Sequence, residues 1–162
     1  MMKEKVIEVQ DMVKRFGSFV ANDHLTFDVY RGEIFGFLGA NGAGKTTAIK
    51  ILCGLSRPSS GKVTVAGIDA FTSPDEIKKR IGYMSQRFSL YEDLTVAENI
   101  EFYGGIYGMT RKEIFPRMDS LIRKLDFESY RNTLIHEMPL GLKQKLAFSI
   151  AVFHDPEIVF LD

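Results

Sequence analysis

Apolar and polar positions interleave near the start of the chain. Val6, Glu8 and Gln10 alternate imperfectly with Ile7, Val9 and Asp11, which predicts a strand continuing through Val13. A second strand is predicted from Leu25 to Tyr30, with Leu25, Phe27 and Val29 on one face. Arg31-Gly32 reads as a turn. The apolar run Ile34 to Leu38 then reads as a short strand buried on both faces. Beyond a glycine-rich loop, Thr46 to Leu55 carries a helical pattern that ends near Gly54, and Lys62 to Val65 resumes a strand.

Helix starts are marked by chemistry as well as by period. Ser73-Pro74-Asp75-Glu76 places a serine cap, a proline and a glutamate at the spacing of a capping box. The short helix it opens gives way near Arg80 to a strand over Ile81 to Met84. Thr95-Val96-Ala97-Glu98 repeats the box and predicts a helix towards Tyr107 or Gly108. Arg111 to Leu125 places Ile114, Met118, Leu121, Ile122 and Leu125 at helical spacing, but Pro116 predicts that the regular helix begins at or near Phe115. Leu142, Leu146, Ile150 and Phe153 mark a helix from Gly141 to His154, and Ile158 to Leu161 a last apolar strand. Strands come first, then alternation with a helical block between Gln86 and Asp155. That order is α/β.

Composition narrows the class. The 162 residues are 45% hydrophobic and 26% charged, the profile of a globular domain able to bury a core. Twenty-one basic side chains balance twenty-one acidic ones, so wholesale electrostatic binding to nucleic acid or anionic membrane has no support. A lone cysteine, a charged N-terminal stretch and the lack of any apolar run of about 20 residues predict a soluble cytosolic product. His24, His136 and His154 show no metal-ligand spacing and read as structural.

The candidate chemistry lies in Gly39-Ala40-Asn41-Gly42-Ala43-Gly44-Lys45-Thr46-Thr47, a match to G-x-x-x-x-G-K-[ST]. Glycines let successive N–H groups turn inward as an anion nest, and the following helix adds its positive end. Lys45 can neutralise β and γ oxygens, and the Thr46 hydroxyl can ligate Mg²⁺. A nucleoside triphosphate is the implied ligand. Asp162, closing an apolar strand, has the form of a second metal-directed group.

With these motifs in order, the chain resembles the nucleotide-binding subunit of an ABC transporter from about Val6 to Asp162. LSRPSSGKVTVAGID and IGYMSQRFSLYEDLTVAENIEFYGGIYG follow the loop as in that family, and Gln86 matches its Q-loop glutamine. HEMPLGLKQKLAFSIAVFHDPEIVFLD resembles the signature helix leading into the Walker B strand. The resemblance implies a P-loop α/β cassette with N-terminal antiparallel strands and an inserted helical subdomain over residues 87–155. ATP and Mg²⁺ are its implied ligands, with Lys45, Gln86 and Asp162 in catalysis and Thr46, Gln86 and Asp162 around the metal. Phe16 matches the aromatic stacked on adenine, although core packing also accounts for an aromatic there. Tyr91, Tyr103 and Tyr107 face either the membrane partner or the helix interior.

The implied partners are a membrane-spanning subunit and a second cassette, in a head-to-tail dimer at the cytoplasmic face. The wording is that of exporters of drugs, lipids or polysaccharides. Two departures stand out. Met138-Pro139-Leu140-Gly141 replaces leucine-serine-glycine-glycine, so a non-hydrolytic regulatory cassette is the alternative. The sequence given also stops at Asp162, before the family's catalytic glutamate and switch histidine, which predicts an incomplete domain that is not an ATPase alone. Guanine specificity lacks its N-K-x-D stretch, and a P-loop kinase leaves Gln86 and the signature-like helix unexplained. Soluble ABC proteins of ribosomes or DNA usually pair two cassettes in one chain or carry long insertions, and neither is present here.

Overall fold

The computed structural model describes residues 3–85 and 90–162, which form two compact units that meet in sequence at Ile81 and Gly82. In the first, β1 (Lys5–Phe16) and β2 (Phe19–Tyr30) make a long antiparallel hairpin. With β3 (Ser60–Val65) and β4 (Ile68–Asp69) they form a sheet of order β2-β1-β3-β4, antiparallel throughout. Helices α1 (Lys45–Leu52) and α2 (Pro74–Arg80) complete the unit. Val9, Met12, Val63 and Val65 from the sheet are buried, as are Ala48, Ile49, Ile51 and Leu52 from α1.

The hairpin is longer than its apolar alternation suggests because bulges break the period. Asp11 and His24 adopt positive φ, and the register of β1 against β2 shifts between Val9 and Met12. The stray Asp11 N–H is taken by the Thr26 hydroxyl at 2.9 Å, and the Asp11 carboxylate meets His24 Nδ1 at 2.6 Å. Gly61 allows β3 to approach this bulge. A Cβ there would stand 2.3 Å from the Asp11 carbonyl oxygen.

One expectation fails in this unit. Ile34 to Leu38 is not a strand; it is irregular backbone with Ile34 fully exposed. Phe35 and Phe37 lie against Phe27, with ring centroids 5.3–5.4 Å apart within the trio, yet Phe35 stays exposed. No ladder partner meets this backbone among the described residues. An apolar run becomes a strand only when a neighbour takes its N–H and C=O groups.

The second unit opens within β5 (Ile81–Met84), which pairs with β6 (Ile158–Leu161). Between them lie α3 (Val96–Ile106), α4 (Arg111–Leu125), two 3₁₀ turns and α5 (Leu140–Ala151). Ile100, Ile114, Met118, Ile122, Phe127, Ile135 and Leu146 build its core. The predicted box forms at α3, and a second one, at Thr110, opens α4. The Thr95 N–H and hydroxyl each donate to Glu98 at 2.8 Å, and those of Thr110 to Glu113 at 2.7 Å. The second box corrects the predicted start at Phe115: α4 begins at Arg111 and carries Pro116 inside it. Pro116 costs one interior N–H, while the cap and the buried Ile114–Met118–Ile122 face hold both sides of it. At α2, by contrast, Ser73 makes no side-chain cap, and Glu76 pairs with Lys79 instead.

Candidate functional site

The loop between Gly39 and Lys45 is shaped by backbone that favours glycine. Gly39, Gly42 and Gly44 have φ of 154°, 82° and 81°. Gly44 is the N-cap of α1, and its carbonyl accepts the Ala48 N–H at 2.9 Å, starting the helix. Above it, the Ala43 N–H reaches the Ala40 carbonyl at 3.2 Å. No acidic side chain occupies the first turn of α1, so its positive end is not neutralised from within the helix. The Lys45 ammonium folds into the loop, donating to the carbonyls of Gly39 at 2.6 Å and Ala40 at 2.7 Å. Thr46 and Thr47 follow in the first helical turn, with Thr46 exposed. Left-handed glycines, a helix N-terminus and a cation in one turn suit a polyphosphate, and a threonine in the next position suits its metal.

The loop rests on β2 through contacts that sequence reasoning missed. Asn22, only 5% exposed, donates from Nδ2 to the Gly44 carbonyl at 3.1 Å. A Cβ on Gly44 would meet the Ala21 carbonyl oxygen at 2.1 Å and Asn22 Nδ2 at 2.6 Å, so the approach depends on glycine. Asparagine is depleted in strands, which was the available signal, but the predicted strand began only at Leu25.

Phe16 ends β1 beside the left-handed Gly17 and is 55% exposed, so core packing does not account for it. The Lys14 ammonium lies 4.9 Å from its ring centroid. Asp162 belongs to the second unit, where its N–H donates to the Met84 carbonyl at 2.9 Å and the Tyr83 hydroxyl reaches its carboxylate at 3.3 Å. Gln86 lies outside the described residues. Pro139 caps α5 with its carbonyl, which accepts the N–H groups of Leu142 and Lys143, and Leu140 is 63% exposed.

Aromatic groups and histidines have structural contacts. Tyr91, Phe102 and Tyr103 cluster, and burial, with Tyr91 and Tyr107 beside it, pushes the Tyr103 phenol up to about 12. Tyr107 stacks on His154 with centroids 3.7 Å apart. His136 Nδ1 lies 3.0 Å from the Glu92 carbonyl. Asn99, also missed, holds the turn before α3: its Oδ1 accepts the Tyr91 N–H, and its Nδ2 donates to carbonyls of Tyr91, Leu94 and Thr95.

The family model described as ABC transporter matches residues 22–162. The probable multidrug ABC transporter ATP-binding protein YbhF of Escherichia coli K12 is 43% identical over 159 residues, which is 98% of this chain and 28% of that protein. The bacitracin transport ATP-binding protein BcrA of Bacillus licheniformis is 36% identical over 157 residues, 97% of this chain and 50% of that one. This chain thus spans half or less of those two relatives. A solved ATP-binding subunit of an ABC transporter superposes with a TM-score of 0.85 at 29% identity, over 97% of this chain and 65% of that one. The phosphate-type loop and the fold agree with a family match over most of the sequence: the chain belongs to the ABC transporter family and has the α/β fold of its cassette.

Proposed function

We propose that the chain binds ATP with Mg²⁺ and, within the complete cassette, couples ATP hydrolysis to export through a membrane-spanning partner. The observation that carries this reading is the glycine turn at the head of α1 with the Lys45 ammonium folded into it. Anionic phosphate oxygens are stronger acceptors for that ammonium than the carbonyls of Gly39 and Ala40, so Lys45 turns to them. Residues Gly39 to Thr47 hold the phosphates through backbone N–H groups, and Phe16 offers adenine the ring face away from Lys14. Thr46, Gln86 and Asp162 would hold the metal, which would neutralise phosphate charge.

Residues 87–155 act as the helical subdomain, towards the partner. A second cassette completes the dimer at the cytoplasmic face. Relatives named for multidrug and bacitracin transport favour a drug-like cargo, and the resemblance to exporters leaves a lipid or polysaccharide as the other cargo classes. A regulatory, non-hydrolytic cassette is the second reading. It is favoured by Pro139, which has neither hydroxyl nor N–H, and by Leu140 standing exposed where the family has glycine. The test of the main reading is calorimetric titration of Lys45→Ala with MgATP. Loss of a charge-assisted contact, about 1.5–3 kcal/mol, predicts roughly tenfold or greater weakening. Unchanged affinity overturns the assignment.

A further inference from the structure

We infer that Asn22 is a positioning residue for the phosphates, acting through the Gly44–Lys45 peptide; this rests on the nucleotide reading above. The Gly44 carbonyl and the Lys45 N–H belong to one planar trans peptide and point in opposite directions. Asn22 Nδ2 anchors that carbonyl at 3.1 Å on β2, which turns the Lys45 N–H away from β2. Lys45 is the first residue of α1, so this N–H has no partner within the helix and is a natural donor to an anion.

Three observations make the anchor specific. The Gly44 carbonyl already accepts the Ala48 N–H, so Asn22 supplies a second, external bond that ties the helix start to the sheet. The amide orientation is set by its partner, because the flipped amide would bring Oδ1 against a carbonyl oxygen. Asn22 Oδ1 is buried with no hydrogen-bond partner among the described residues, a cost that packing alone does not explain. An apolar side chain would fill this place in the strand without leaving a polar atom unmet. The donor is what the site gains from asparagine.

The experiment uses the full chain and two variants. Asn22→Asp keeps the size and replaces the donor by an oxygen facing the Gly44 carbonyl; Asn22→Leu removes both polar atoms. Affinities for MgATP and for tripolyphosphate are measured by calorimetry, and the ligand-free thermal midpoint is recorded. Each variant should weaken MgATP and tripolyphosphate equally, about three- to tenfold for Asn22→Leu and more for Asn22→Asp. Phe16→Ala, as a contrast, should weaken MgATP and leave tripolyphosphate alone. A lowered midpoint with unchanged affinities in either variant overturns the inference and leaves Asn22 a packing residue. A loss confined to MgATP overturns it as well. Wild-type chain that binds neither ligand overturns the nucleotide reading itself, and the inference falls with it.

Discussion

Replacing Gly44 by alanine tests whether the loop depends on its close approach to β2. Two costs follow from the structure. The left-handed φ of 81° costs an L-residue about 1–2 kcal/mol. The added methyl would lie 2.1 Å from the Ala21 carbonyl oxygen, whereas carbon and carbonyl oxygen normally approach to about 3.3–3.6 Å. Backbone must therefore shift by about 1 Å, which pulls Gly44 away from Asn22 and leaves a buried amide unmet, about 1–3 kcal/mol. The sum is about 2–5 kcal/mol, a large share of a typical stability of about 5–15 kcal/mol. Gly42 provides the control, with φ of 82° but no atom near a Cβ. Urea unfolding should place Gly42→Ala about 1–2 kcal/mol below wild type and Gly44→Ala clearly below that. Equal losses in the two variants would refute the role given to close packing on β2.

Two further outcomes are expected. The Asp11 carboxylate, by hydrogen bonding and then by charge, raises the His24 pKa above its ordinary 6.5, with Asp23 adding and Arg15 opposing. The clasp therefore contributes fully below about 6.5 and is lost as pH rises through the raised folded-state value. The midpoint difference between wild type and His24→Asn should be largest at acidic pH and shrink above neutrality; a difference independent of pH refutes the clasp. On the proposed transporter reading, Pro139→Ser with Leu140→Gly should strengthen ATP-driven cassette dimerisation, measured by ultracentrifugation. No gain, or a loss, would make Pro139-Leu140 a working variant of the signature.

The elements legible in the residues are those whose causes are local. The glycine-lysine-threonine loop needs only short-range backbone freedom and a following helix, and both lie within a few residues of Lys45. The capping box of Thr95 and Glu98 closes within one turn, and the Ile114–Met118–Ile122 face follows from helical period alone. Where a cause lay elsewhere in the chain, local pattern misled. Pro116 is a separate case: it argues against a helix start that Thr110 and Glu113, an equally local box, set six residues before it. Ile34 to Leu38 has the composition of a buried strand, but strand formation belongs to a pair, and no described neighbour takes its backbone groups. Asn22 shows the converse. Nothing around it in sequence announces a role, because that role exists only once the fold brings Gly44, twenty-two residues on, to within hydrogen-bond reach. Local sequence determined the loop's chemistry; tertiary structure decided what anchors it, because a hydrogen bond depends on distance in space and not on separation along the chain.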